Sequence, residues 1–164
     1  MQQLNPDYIG LLATKRQLIE EEHARLDQCL CDLCGVCETC SQYKSLTDCH
    51  KCNCSNEKKA ACQGRLTSFF YDFQYLVVEH FDNEENIIGD IVRSSDEDHY
   101  HRLHQKEHEH LMLDLRHQIH ESATLSKQGN VREAIRHFYQ LITVRFGEHA
   151  RNYDNILMNN SRGW

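Results

Sequence analysis

The sequence predicts an all-α fold: an antiparallel four-helix bundle with a cysteine-rich insert between its first and second helices. Three observations carry that expectation. One proline and seven glycines in 164 residues leave little turn chemistry for a β-sandwich and suit long helices. Apolar residues recur at three- and four-residue steps over four long stretches, the period of amphipathic helices. The nine cysteines all fall within residues 29–62, where that period stops. The length suits one domain, 1–164, with a sizeable core.

Asn5-Pro6-Asp7 is a helix start, with Asn as N-cap, Pro at the first helical position and Asp at the positive end of the dipole. Leu12, Ile19, His23 and Leu26 then mark one buried stripe, opposite Lys15, Arg16, Glu20 and Glu21. Residues 29–62 carry too few large apolar side chains to fold alone. A second helix is expected from about Gly64 to Arg93, its inner face carrying Phe73, Leu76, Val77, Ile87, Ile88 and Ile91. Ser94-Ser95-Asp96-Glu97-Asp98 supplies caps for a third, from about Asp96 to Lys127, with His104, His108, Leu111, Leu115 and Ile119 inward. Gly129-Asn130 makes the next turn. The fourth, from about Val131 to Met158, has Ile135, Phe138, Ile142, Phe146, His149, Tyr153 and Ile156 on or near one face.

Composition narrows the function. A net charge of −7 argues against a nucleic-acid partner, because phosphate contacts need a basic surface. No apolar run approaches the roughly 20 residues that span a bilayer, and no signal peptide opens the chain, so a cytoplasmic protein without a membrane partner is expected. Twelve histidines and an odd number of cysteines point to metal or redox chemistry.

The centre of that chemistry is His80-Phe81-Asp82-Asn83-Glu84-Glu85. Residues four apart on a helix differ by about 40° around the axis, so His80 and Glu84 leave the same, otherwise apolar face. A buried imidazole and carboxylate need partners. The first helix offers His23, the third the i, i+4 pair His104 and His108, and the fourth His149 and Asp154. Five imidazoles and two carboxylates in a bundle interior form a metal-ligand set. Nitrogen-rich ligation suits iron, zinc or copper, and bridging carboxylates suit two ions about 3.5 Å apart. Five residues of ideal helix turn through about 140°, so His149 and Asp154 both face inward only with bridging reach or a local widening of the helix.

His80-Phe81-x-x-Glu84-Glu85-x-x-Ile88, His104-x-x-x-His108, His149-x-x-x-x-Asp154 and the single His23 resemble the motifs of hemerythrin and of bacterial hemerythrin-like domains. The resemblance covers the chain outside 29–62. It implies one iron held by His104, His108 and His149 and another by His23 and His80. Glu84, Asp154 and an oxo or hydroxo group would bridge them, with an open position on the second iron. Arg145 stands where the family usually has an aromatic residue, and is expected to face solvent or the insert, since a buried Arg needs a partner.

Cys29, Cys31, Cys34, Cys37, Cys40, Cys49, Cys52, Cys54 and Cys62, with His50 as a possible further ligand, suit zinc, with an iron–sulfur cluster as the alternative. Oxidation of some thiols is a further reading, making the insert a redox switch. His99, His101, His110, His117, His120 and His137 are expected on solvated faces, with His101, Glu85 and Glu107 placed to support ligands from behind.

Two irons in an apolar pocket, with candidates Phe81, Leu111, Met112 and Phe146, imply a protein that binds O2, or senses O2, NO or redox state, without turnover. By the same resemblance a signalling output such as a diguanylate cyclase or chemotaxis module is an expected fused partner. The alternatives are a di-iron oxidase, peroxidase or NO reductase, with peroxide or NO as substrate, and an iron- or zinc-handling protein.

Overall fold

A computed structural model describes residues 6–33, 35–36, 54–91 and 95–154. Four α-helices account for almost all of them: α1 (Pro6–Leu33), α2 (Asn56–Ile91), α3 (Ser95–Lys127) and α4 (Val131–His149). A five-residue π-helical turn, Ala150–Asp154, continues α4. The fold is all-α, and no strand occurs among the described residues. None of the described helices is long and apolar enough to cross a membrane.

Cross-helix contacts fix the directions. Lys15 near the start of α1 pairs with Asp90 near the end of α2, His80 meets Glu22, and Arg65 near the start of α2 donates to the Val36 carbonyl just beyond α1. As one residue number rises the other falls, so α1 and α2 are antiparallel. Glu85 with His101 and Gln63 with the Ser126 carbonyl set α2 against α3 in the same sense. Tyr100 with Tyr153 and Asp114 with Arg145 do so for α3 and α4. α4 also touches α1 and α2, which closes the bundle.

The α3–α4 turn forms where Gly129-Asn130 predicts it. Gly129 adopts φ +86°, the left-handed region. Its N–H donates to the Ser126 carbonyl, and the Asn130 N–H donates to the Leu125 carbonyl, satisfying two carbonyls at the end of α3. The sharp reversal keeps α3 and α4 in register along most of their length.

Three boundaries differ from expectation. α1 runs on through Cys29 and Cys31 to Leu33, and α2 begins at Asn56 instead of near Gly64. Both helices therefore take in parts of the 29–62 stretch. Leu30, Leu33 and Val36 continue the stripe of Ile19 and Leu26 and are buried, so hydrocarbon holds this part of the chain where thiolate–metal bonds were expected to. α4 stops being an α-helix at His149, short of Met158; Ile156 and Met158 lie outside the described residues.

The interior divides in two along its length. Leu66, Phe69, Phe70, Phe73, Phe138 and Ile142 lead a buried apolar cluster. Phe138 meets Phe69, Phe70 and Phe73 with ring centroids 5.0–5.7 Å apart, within the range favoured by aromatic pairs. In the other part, buried histidine and glutamate sit among apolar side chains such as Phe81.

Candidate metal centre

Glu84 is wholly buried at 0 % exposure, one turn beyond His80 on the inner face of α2. Its two oxygens face different groups. Oε1 lies 3.5 Å from His80 Nε2 and 4.0 Å from His23 Nε2. Oε2 lies 3.1 Å from His108 Nε2, 3.7 Å from His149 Nε2 and 3.8 Å from His104 Nε2. All five imidazoles therefore aim Nε2 at one carboxylate, from all four helices. Two groups of possible metal donors result, Glu84 with His104, His108 and His149, and Glu84 with His23 and His80.

The spacing suits an ion. Ligand nitrogens about 2.0–2.1 Å from a tetrahedral ion stand about 3.3–3.4 Å apart, in the range found here. His108 Nε2 and His149 Nε2 approach to 3.1 Å. Two imidazole lone pairs repel at that distance, so either one nitrogen carries a proton or a cation sits between them. Together these observations describe a buried His/Glu cluster able to hold metal, and the donor chemistry fits the group expected from sequence.

The far sides of three rings, His80, His104 and His108, face carboxylates. Glu22, only 5 % exposed, sits 3.1 Å from His80 Nδ1 and also accepts from the Asn83 amide. Glu85 Oε1 lies 3.3 Å from His104 Nδ1 and 2.8 Å from His108 Nδ1, while its Oε2 meets His101 Nε2 at 2.7 Å. An Nδ1–H donated outward leaves the Nε2 lone pair aimed inward, which is the tautomer a metal needs. Burial alone would raise the Glu85 carboxyl. Hydrogen bonds and charge from His104 and His108 outweigh it and hold the group far below the usual carboxylate range.

Sequence reasoning anticipated Glu85 and His101 in this supporting role. It missed Glu22, although its position three after Ile19 and four before Leu26 places it on the same inner stripe. Glu107 does not reach the ligand rings; its carboxylate lies 3.8 Å from Arg145 and 3.9 Å from His110. His99, His110, His117 and His120 are exposed, and His101 and His137 half-buried.

The end of α4 shows the widening that the His149–Asp154 spacing required. In the π turn hydrogen bonds close i→i+5, so residues five apart come closer to one face than in an α-helix. The side chain of Asp154 lies outside what the structure describes. Tyr153 does not: its ring stacks on His149 at 5.4 Å and meets His104 edge-on at 5.6 Å. The Tyr100 hydroxyl donates to the Tyr153 carbonyl at 2.8 Å, tying the π turn to α3.

The pocket residues named from sequence are packed. Phe81 lies flat on His108, centroids 3.8 Å apart at 8°, and Phe146 packs against Phe81 at 6.0 Å. Leu111 is buried and Met112 packs at the edge of the core. The Phe81 ring stands between the two groups, 5.7 Å from His149 and 5.8 Å from His80. Arg145 turns to the surface as expected, held by Asp114 at 2.9 Å and Glu148 at 3.3 Å.

Among the described cysteines none joins a metal-donor group. Cys62 is buried in the apolar cluster, with the Arg65 guanidinium 3.3 Å from its sulfur. Cys31 is exposed, and Cys29 and Cys54 half-buried. Burial, then Asp32 and Asp72, push the Cys29 thiol up, away from the thiolate a metal binds. Cys34, Cys37, Cys40, Cys49, Cys52 and His50 lie outside the described residues.

Comparison of the chain with protein-family models, with curated proteins and with solved structures finds no match.

Proposed function

We propose that the chain is a hemerythrin-like di-iron protein that binds O2, or senses O2, NO or redox state. One observation carries the reading: a single buried carboxylate turns one oxygen to two imidazoles and the other to three. A lone ion needs only one of those sets. A carboxylate facing both is the arrangement of a bridge between two ions. Two irons, when bound, would supply a reversible change of oxidation state and an open position for a diatomic ligand.

The chain's own residues do the rest. His104, His108 and His149 would hold one ion and His23 and His80 the other, with Asp154 as a second bridge. Glu22 and Glu85 keep the rings oriented and protonated on their outer nitrogens. Phe81 and Phe146 exclude water beside His108, which protects a reduced metal from hydrolysis and stray oxidation. The histidine-rich donor set and the apolar packing beside it favour binding over turnover. Zinc in the cysteine-rich segment belongs to the same proposal. The raised thiol of Cys29 and the core position of Cys62 favour the cysteines between them as its ligands.

The test is metal analysis with absorption spectra of the oxidised, reduced and oxygen-exposed protein, for the wild type and for Glu84→Ala. Two irons per chain, lost together in the variant, with a spectrum that reverses on removing oxygen, are expected. One metal per chain that survives Glu84→Ala would refute the bridge. Steady-state consumption of oxygen, peroxide or NO well above that of free iron would make the protein an enzyme.

A further inference from the structure

The two donor groups differ in the helices they join. Glu84 of α2, His104 and His108 of α3 and His149 of α4 make up one, so an ion there ties α2, α3 and α4 together. The other combines His23 of α1 with His80 and Glu84 of α2, and an ion there is the one that reaches α1. His23 is also the accessible donor. Its side chain is 32 % exposed, against 0–7 % for His80, Glu84, His104, His108 and His149.

α1 is anchored unevenly along its length. Leu26, Leu30, Leu33 and, just beyond the helix, Val36 belong to the main apolar cluster. Among the described side chains from 13 to 25, only Ile19 and Glu22 are buried, and Ile19 is not part of that cluster. Polar links tie this half to α2: Lys15 with Asp90, Glu22 with His80 and Asn83, and Arg25 with Glu79. Asp90 and Arg25 are exposed, at 69 and 57 %, so their pairs are screened by water and contribute little. A stretch with few buried apolar contacts opens locally before the rest of a fold does. The first half of α1 is such a stretch, and its second half is not.

We propose that an ion held by His23, His80 and Glu84 is a clasp for the first half of α1, and that its loss frees residues 13–25 while 26–33 stay packed. The inference rests on the di-iron reading and gives its second position a regulatory consequence: occupancy there sets whether α1 is docked. Residues 13–25 cannot leave the bundle without surrendering the His23 ligand. An ion that binds only the docked form suppresses opening by the factor 1 + [ion]/Kd, about tenfold at ten times Kd.

The test is hydrogen–deuterium exchange read by mass spectrometry on the full chain, metal-free and loaded with ferrous iron under anaerobic conditions, with iron counted on each sample. With two irons bound, exchange over 13–25 should slow at least about tenfold, while exchange over 26–33 should change less than about twofold. His23→Ala, at the most exposed donor, should keep one iron and exchange over 13–25 at the metal-free rate. Should that variant fail to fold, the loaded and metal-free wild type decide the matter alone. Two bound irons with exchange over 13–25 unchanged, slowing spread evenly from 13 to 33, or full slowing in His23→Ala would overturn the clasp and leave the di-iron reading standing. A chain that never takes up a second iron would overturn both.

Discussion

Deleting Glu22 should weaken one metal position and spare the other. The carboxylate is buried, sits 3.1 Å from His80 Nδ1 and accepts from the Asn83 amide. In the described geometry it supports no ring of the three-histidine group. Losing a partner of this kind lowers metal affinity by about 10–100-fold, or about 1.4–2.7 kcal/mol. Glu22→Ala should therefore shift one of two ions by that amount. Glu85→Ala is the mirror experiment. It strips the outer acceptor from His104 and His108 together, so the effect on the other ion should reach the top of that range or exceed it.

The assay is competition against a chelator of known affinity, with metal counted at each step. Glu22→Ala leaves one buried ring nitrogen without its acceptor and Glu85→Ala leaves two, at about 1–3 kcal/mol each. Their metal-free Tm should fall and recover partly on loading. Equal weakening of both ions by Glu22→Ala, in a protein with unchanged helical signal, would refute the assignment of one carboxylate to each group.

Three further outcomes are expected. Arg145→Ala should change stability by no more than about 1 kcal/mol, because its ion pairs are solvent-screened, and should leave metal content unaltered; a lost metal would mean that position 145 supports the site. Cys29 should alkylate more slowly than the exposed Cys31 at neutral pH, with a rate that is still climbing past the ordinary thiol value of 9.0, as read by peptide mapping; equal rates would contradict the raised thiol. For Glu85 the folded-state value lies below the ordinary 4.5, so its stabilisation is complete above that pH and is lost on acidification below it. The Tm of the metal-free protein should begin to fall near the ordinary value of 4.5 and keep falling as the pH drops further. Glu85→Gln should flatten that slope, and an unchanged slope would rule the contribution out.

Much of this molecule is legible in the order of its residues, and what is not has physical causes. The four helices announce themselves through a 3.6-residue period. His23, His80, Glu84, His104, His108 and His149 stand out because polar groups on an apolar stripe need an explanation. Glu22 does not stand out because it lies in a run of three glutamates, two of them solvated, and nothing in residue type separates the buried one from its neighbours. Leu30 and Leu33 are hidden by the cysteines around them, although they keep step with Leu26. The reach of Glu85 to three histidines depends on how α2 and α3 pack, a tertiary fact without a local signature. Arg145 is legible as a departure but not in its choice of partners, which belong to α3 and to the next turn of α4.

His80 and Glu84 are four positions apart, as are His104 and His108, whereas His149 and the last carboxylate are five apart. The π turn after His149 absorbs that extra position where it arises. In an unbroken α-helix a one-residue insertion would rotate everything downstream by about 100°. Excising one residue between 150 and 153 should let the backbone relax to ordinary pitch. The shortened helix would be the more regular one, and Tyr153 would lose its stacking on His149. On the di-iron reading, the irregular winding at this end of the bundle would correct the phase of the last pair of donors.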